Sequence, residues 1–251
     1  MIAKKTLKYI KSLQLKKYRK IENSFLVEGA KSVIELLNSD FTIRTLFATE
    51  VFLNSHKQLI DTKNIQISVV SEQDLAAAGS YKTNDAAIAI VAMKENKPVK
   101  GDEGLTLVLD DIRDPGNLGT IARIADWYGI NNIVCSLECA DQYNPKVIAA
   151  SMGSFTRVNF YYTNLQEYLS NSKLPKYGAY LEGQSVHDCA FDGHGLLVMG
   201  NESNGINPNL EKLIDAKINI PGFGRAESLN VAIATAVICD NFRRIEKGTE
   251  S

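Results

Sequence analysis

The residues of this chain best suited to chemistry lie in three short segments, each following an apolar run. The first is DDIRDPGNLGTIARIADWYG, Asp110 to Gly129. An Asp-Pro-Gly turn leads into a helix expected from about Asn117 to Tyr128, with Gly129 as a left-handed stop. Asn117 stands at the helix start. Arg123 follows six residues later, opposite the apolar positions Leu118, Ile121, Ala122 and Ala125. One reading has the turn aim Asn117 and Arg123 at a common target. Equally, Asn117 can cap the helix while Arg123 solvates an exposed face.

The second segment is LLVMGNESNGINPNL, residues 196–210. Gly200 ends an apolar strand, and Asn201 to Gly205 form a tight polar loop whose glycines let backbone approach a ligand closely. An ordinary strand-to-helix turn capped by Asn207 reads the same way. The third is INIPGFGRAESLNVAIATAVICDNFRR, residues 218–244. It places a proline and two glycines at a strand end, then Arg225, Glu227, Ser228 and Asn230 ahead of a small-residue helix. That helix is expected from about Leu229 to Lys247, with Ser228 as its N-cap. Free amides at such a helix start favour anions. Gly222-Phe223-Gly224 lacks the third glycine of a dinucleotide fingerprint and sits at the wrong end of the chain, which argues against a nicotinamide oxidoreductase. His187-Asp188-Cys189 is read as incidental, because neighbours on a strand point to opposite faces.

The elements that must position these segments are strands alternating with helices. The first 95 or so residues read as a small α/β domain, with strands at SFLVEG, FTIRTLFAT, IQISVVS and NDAAIAIVAM. Residues 96–104 are polar and aperiodic and are expected to form a linker. From residue 105 the pattern strand–helix–strand predicts right-handed parallel crossovers. The expectation is a mostly parallel sheet with helices on both faces. Ligands gather at the carboxyl ends of such strands, so three polar turns at three strand ends can converge on one pocket.

Composition narrows the classes. Apolar residues make up 45% of the 251 and charged residues 23%, as in a globular protein. No apolar run approaches the ~20 residues of a membrane span, and the basic N-terminus lacks the apolar core of a secretory signal. Four scattered cysteines without a CxxC pair, and three histidines, support no metal site and fit a reducing cytoplasm. Net charge is −1, yet residues 1–20 hold eight Lys/Arg and no acid. A basic arm on an acidic body suits a polyanion. An alternative is a solvated helix whose Leu7, Ile10, Leu13 and Leu15 form an apolar stripe.

Taken together, DPGNLGTIARIADWYGI, VMGNESNGI and IPGFGRAESLNVAIA resemble the three ordered motifs of the SpoU (TrmH-like) family of RNA ribose 2'-O-methyltransferases, over roughly residues 105–246. NSFLVEGAKSVIELL resembles the small L30e-like substrate-binding domain that precedes the catalytic domain in many members. The resemblance implies a C-terminal α/β domain of residues 105–251 with a trefoil knot, a basic-armed RNA-binding domain of residues 1–95, a homodimer and the cofactor S-adenosylmethionine. It places catalytic roles on Asn117, Arg123, Glu202, Ser228 and Asn230, with Asn117 orienting Arg123. It places cofactor contacts on Met199, Gly200, Asn201, Ile220, Pro221, Gly224, Ser228 and Leu229. Lys16, Lys17, Arg19 and Lys20 are expected to meet RNA phosphates. The third motif departs from the common pattern by lacking a methionine and bringing in Phe223 and Arg225.

The resemblance thus implies a cytoplasmic enzyme that needs neither metal nor membrane. Its expected substrate is ribosomal RNA of the 23S type, ahead of transfer RNA. A non-catalytic RNA-binding protein that keeps the fold is the alternative. A free arginine is too strongly protonated for an ordinary base. Arg123 is therefore read as an electrostatic group for a phosphate or a developing alkoxide, and whether it also handles a proton stays open at this point.

Overall fold

The computed structural model describes residues 2–99 and 104–248. Its first elements are α1 (Lys4–Ser12), α2 (Lys16–Glu22), β1 (Ser24–Glu28), α3 (Ala30–Leu37), β2 (Ile43–Ala48), α4 (Glu50–Ser55), α5 (Lys57–Asp61), β3 (Gln66–Val69), α6 (Glu72–Ala78) and β4 (Ala87–Ala92). Then come β5 (Leu105–Leu109), α7 (Pro115–Trp127), β6 (Asn132–Cys135), α8 (Pro145–Ser151), a 3-10 turn (Ser154–Thr156), β7 (Asn159–Tyr162) and α9 (Leu165–Asn171). The chain continues through β8 (Lys176–Ser185), β9 (Gly195–Met199), α10 (Pro208–Glu211), β10 (Ala216–Asn219) and α11 (Val231–Gly248).

These elements form two compact units. One holds residues 1–95 together with 141–156; the other holds 96–140 and 157–251. The first unit is built on a four-stranded sheet in the order β1-β4-β2-β3. β1 is buried at all five positions because both its faces are covered. Phe25 and Val27 pack in one apolar cluster with Val33 and Leu36, while Leu26 on the other face packs with Ile10 and Leu13.

Residues 141–156 depart from the contiguous division expected between linker and C-terminus. Tyr143 packs at a tilt against Phe25 with ring centroids 4.5 Å apart, and Phe155 meets Phe25 and Phe41 at 6.2 and 5.8 Å. The Tyr143 hydroxyl also accepts from the Lys94 amide at 2.9 Å. Aromatic burial and a satisfied hydroxyl hold the segment to the first unit. The expected linker begins in an ordered way: the Asn96 amide donates to the Tyr162 carbonyl and accepts from its N–H, both at 2.9 Å. Linker residues 100–103 lie outside the described residues.

The basic arm is helical, with Ile10 and Leu13 fully buried as the apolar stripe requires, but Leu15 is 58% exposed. One expectation for the arm fails. Arg19 is 1% exposed and points inward, so it does not present its charge to an RNA phosphate. Its Nη2 lies 2.6 Å from Asp141 Oδ2, and its Nη1 donates to the carbonyls of Leu13 and Gln14. A guanidinium loses less on leaving water than an ammonium and fills a fork of acceptors, which is why the arginine and not a neighbouring lysine is the buried cation.

The second unit carries a six-stranded sheet in the order β10-β8-β9-β5-β6-β7. Every adjacent pair is parallel. The central strands β5 and β9 are buried at all five positions, the pattern of strands covered on both faces. From β5 the chain first moves outward to β6 and β7, then returns to build β8, β9 and β10 on the other side. β5 and β9 therefore flank the topological switch, where doubly wound sheets hold ligands.

Helix ends differ from expectation for local reasons. α7 starts at Pro115 because Asp114, not Asn117, caps it; Asp114 Oδ1 accepts from the Asn117 N–H at 2.8 Å. α11 starts at Val231, and its cap is Asn230 instead of Ser228: Asn230 Oδ1 accepts from the amides of Ala232 and Ile233 at 3.0 and 3.4 Å. No helix of the described residues is long and apolar enough to cross a membrane.

Candidate functional site

The three strand-end segments meet at the carboxyl ends of β5, β9 and β10. The chain leaves β5 through Asp110 and Asp111, and Asp111 takes the left-handed conformation with φ 57°. A non-glycine residue there carries strain that its surroundings must offset. They do so with three bonds. The Asp111 N–H donates to Ser136 Oγ at 3.0 Å, its carbonyl accepts from Asn201 Nδ2 at 2.8 Å, and Arg113 Nε lies 2.6 Å from its carboxylate.

The loop after β9 is closed by its own backbone. Asn201 and Gly205 exchange both amide bonds, at 3.0 and 2.9 Å, and Gly205 has φ 69°. Asn201 Oδ1 accepts from the amides of Ser203 and Asn204. The loop crosses directly over Gly200, where an added Cβ would lie 2.2 Å from the Gly205 carbonyl carbon. Position 200 is therefore glycine for want of space. Asp110 secures the far end of the loop, accepting the Asn207 N–H at 2.7 Å.

Asn117, Glu202 and Asn230, one from each segment, are brought together. Asn230 Nδ2 donates to Asn117 Oδ1 at 3.0 Å, and Asn117 Nδ2 donates to Glu202 Oε1 at 2.5 Å. The order of donors is set from one end, because Asn230 uses its oxygen to cap α11 and so turns its N–H groups toward Asn117. The Asn117 amide is thereby oriented, and Glu202 keeps its second carboxylate oxygen at an exposed edge. Such a cluster can accept from a hydroxyl and hold it in place.

The third segment offers bare backbone. Residues 222–230 are all exposed, and among the described residues no hydrogen bond ties the main chain of residues 221–229. Gly222 and Gly224 have open space where a Cβ would stand. Unpaired amides and carbonyls beside a helix start are ready to bind a polar ligand. Pro221, Gly224, Ser228 and Leu229 lie on this strip, with Ile220 leading into it. Met199, by contrast, is 2% exposed in the core, and its carbonyl accepts from the Asp110 amide.

Arg123 is not joined to the cluster. It is exposed and makes no hydrogen bond or ion pair among the described residues. Six residues of helix rotate it by about 120° from Asn117, so the expectation that Asn117 orients Arg123 directly finds no bond. Its nearest companion by helical spacing is Trp127, 84% exposed one turn on. The His187-Asp188-Cys189 trio forms no centre: His187 Nδ1 contacts Asn241 Oδ1 at 3.2 Å, and Cys189 is buried.

Asp110 and Asp111 are the site residues that motif reading leaves out. Two acids closing a buried strand were a signal; a left-handed aspartate is not legible from residue type. Burial holds the Asp110 carboxyl above the usual carboxylate range, with Asp111 and Glu138 adding repulsion against the relief from the Asn207 amide. A raised value in the folded state favours folding at low pH, and that contribution is lost as pH rises through it. Asp110→Asn cannot ionise and keeps an acceptor for Asn207. It is expected to melt above the wild type at pH 7 to 8, by about 2–4 °C per kcal/mol. In calorimetric melts the gap should close as pH falls through the ordinary carboxylate range; a gap that widens on acidification would reverse the sign assigned to Asp110.

Comparison with known proteins places these features. Residues 104–240 match the SpoU rRNA Methylase family, and residues 4–89 match the MRM3-like substrate binding domain. The chain is 30% identical over 240 residues to the 23S rRNA (guanosine(2553)-2'-O)-methyltransferase of Bacillus subtilis, which covers 93% of this chain and 94% of that protein. A solved structure from Porphyromonas gingivalis, ascribed to the TrmH family of RNA methyltransferases, superposes with a TM-score of 0.85 at 34% identity, covering 97% of this chain and 99% of that one. The AdoMet-bound rRNA methyltransferase from Sinorhizobium meliloti superposes with a TM-score of 0.87 at 28% identity, over 97% and 96% of the two chains. The ordered motifs, the cluster that links them and a family match over more than half of the sequence agree: the chain belongs to the SpoU rRNA methylase family.

Proposed function

We propose that this chain is an S-adenosylmethionine-dependent enzyme that methylates a ribose 2'-hydroxyl in ribosomal RNA of the 23S type. The observation that carries the reading is the Asn230–Asn117–Glu202 chain, which ties three strand-end motifs into one constellation beside a strip of unpaired backbone. That strip fits the cofactor: an adenosine and an amino-acid tail need backbone donors and acceptors, and residues 221–229 have theirs free. Ile220, Pro221, Gly224, Ser228 and Leu229 would hold it there, with Gly200 and Asn201 supplying the neighbouring loop.

When bound, S-adenosylmethionine supplies a methyl group activated by its sulfonium. The remaining work falls to the chain. A ribose hydroxyl is a weak nucleophile, so it must be aligned and relieved of its proton. Glu202 and Asn230 position the ribose, and Asn117 keeps them in register. Ser228, exposed on the strip, adds a hydroxyl contact. Arg123 holds the adjoining phosphate and the charge that builds on the 2'-oxygen, with the proton passing to an RNA phosphate.

The enzyme would act in the cytoplasm as a homodimer, with its C-terminal domain tied in the family's trefoil knot. Trp127 on α7 and Ile233 on α11, 84% and 52% exposed, support a second copy covering this face. Arg123 would then lie at the seam between subunits, which accounts for its separation from Asn117 within one chain. The domain of residues 1–95 would bind the RNA, with Lys16, Lys17 and Lys20 on phosphates.

The test is direct. Purified protein is incubated with S-adenosylmethionine labelled in the methyl group and with total RNA. The 2'-O-methyl sites are then mapped in RNA from cells with and without the gene. Label in the large ribosomal RNA, and one site lost with the gene, is the expected result. Label confined to transfer RNA would move the substrate class. Cofactor binding without any transfer would leave a non-catalytic RNA-binding protein.

A further inference from the structure

Helix α2 is fixed to its unit in an unusual way. Of its seven residues only Arg19 is buried, while Lys16, Lys17, Tyr18, Lys20, Ile21 and Glu22 are exposed. A surface helix ordinarily buries an apolar stripe. Here the buried anchor is the Arg19 guanidinium, bonded to Asp141 and to the Leu13 and Gln14 carbonyls. The apolar side chains are turned out instead. Tyr18 is 39% and Ile21 63% exposed, and Leu15 just ahead of the helix is 58% exposed. Positions three apart on a helix shift by only about 60°, so these side chains share one strip between the lysines. Arg44 adds a cation at the far end. It stands at the irregularity in β2 and donates Nη2 to the carbonyl of Asn23, which closes α2.

We infer that this face is a platform for an unpaired stretch of RNA, on which a base stacks against Tyr18 with Ile21 beside it while Lys16, Lys17, Lys20 and Arg44 hold the phosphates. The inference rests on the reading of this chain as an RNA-modifying enzyme and deepens it. Lysines alone serve any phosphate backbone and carry no preference for its form. An exposed aromatic ring among them changes that, because a duplex hides its base faces while an unpaired strand offers them. Lys17 Nζ lies 5.9 Å from the Tyr18 ring centroid, close enough to contact a phosphate flanking the stacked base. The charge balance points the same way: residues 1–20 carry no acid, and Glu22 is the one carboxylate on α2.

The experiment is fluorescence anisotropy with the full chain and two labelled RNAs of equal length, one single-stranded and one fully duplex. Tyr18→Ala is expected to weaken binding to the single strand by roughly 5- to 150-fold. It should leave duplex affinity and the salt dependence unchanged, and Tyr18→Phe should retain wild-type binding. A Lys16, Lys17, Lys20 triple alanine variant is expected to weaken both RNAs and flatten the salt dependence. Calorimetric binding of S-adenosylmethionine and the melting temperature should match wild type in every variant, which shows that both units remain folded. Wild-type affinity of Tyr18→Ala for the single strand, or equal losses on both RNAs, overturns the platform while the methyltransferase reading stands. Loss of binding to phosphatidylglycerol vesicles with RNA binding intact would overturn it in favour of a lipid surface. If the wild type binds neither RNA, the parent reading falls, and the platform with it.

Discussion

Replacing Arg123 by alanine is expected to lower methyl transfer by roughly 10²- to 10³-fold or more, the loss seen when one preorganised charge-stabilising group is removed. Calorimetric binding of S-adenosylmethionine should stay near the wild-type value. The separation follows from where the residue stands. Arg123 is exposed, makes no bond to the Glu202–Asn117–Asn230 cluster and contributes nothing to the buried face of α7. Within one chain its removal leaves no cavity and no orphaned partner, so melting of the protomer should shift within the scatter of surface substitutions. The loss should fall on kcat, because charge on the 2'-oxygen builds only as the reaction proceeds. Normal turnover in this variant would remove Arg123 from the mechanism.

The second large effect is the reverse case, a methyl group where no space exists. Gly200→Ala would place a Cβ within 2.2 to 2.5 Å of the backbone of Gly205 and Ile206. Backbone cannot rotate aside as a flexible side chain does, so the loop must move as a whole. That strains the Asn201–Gly205 bonds, the Asp111–Asn201 bond and the Asp110–Asn207 bond together. Overpacking of this kind costs about 1–3 kcal/mol or more, and each kcal/mol lowers the melting temperature by about 2–4 °C at this size. Cofactor binding is expected to fall below detection, since the loop and Glu202 would leave their places. Gly222→Ala is the matched control. It adds the same methyl where nothing lies within 4 Å and should melt like the wild type.

Much of this arrangement was legible in the residues. Leu118, Ile121, Ala122 and Ala125 marked the buried face of α7, and Arg123 duly faces outward. The apolar runs at Leu105–Leu109 and Gly195–Met199 marked two strands, which the sheet order places at its centre. What escaped depended on distant partners or on choices between chemically equal neighbours. Arg19 is one cation in a run of cations, and only Asp141, far along the chain, makes it the inward one. Ser228 and Asn230 are both good N-caps, two residues apart. The choice went to the asparagine, whose oxygen caps α11 while its N–H reaches Asn117. The left-handed turn at Asp111 is set by Ser136 and Asn201, which no local pattern announces. Residues 141–156 carry a good helical pattern, yet nothing in that pattern says which sheet the helix will cover.

The placement of residues 141–156 bears on how this protein can be taken apart. The chain passes from one unit to the other three times, after Glu95, Ala140 and Thr156. The first unit is thus not a cassette that a single cut releases. A fragment ending at residue 95 would lack Tyr143 and Phe155, stripping Phe25 of two of its three ring contacts, Phe41 of its contact with Phe155, and Arg19 of its carboxylate. Exchange of this unit, in the laboratory or in descent, must carry two separate stretches of sequence at once. The two units are for that reason harder to inherit separately than a two-domain diagram implies.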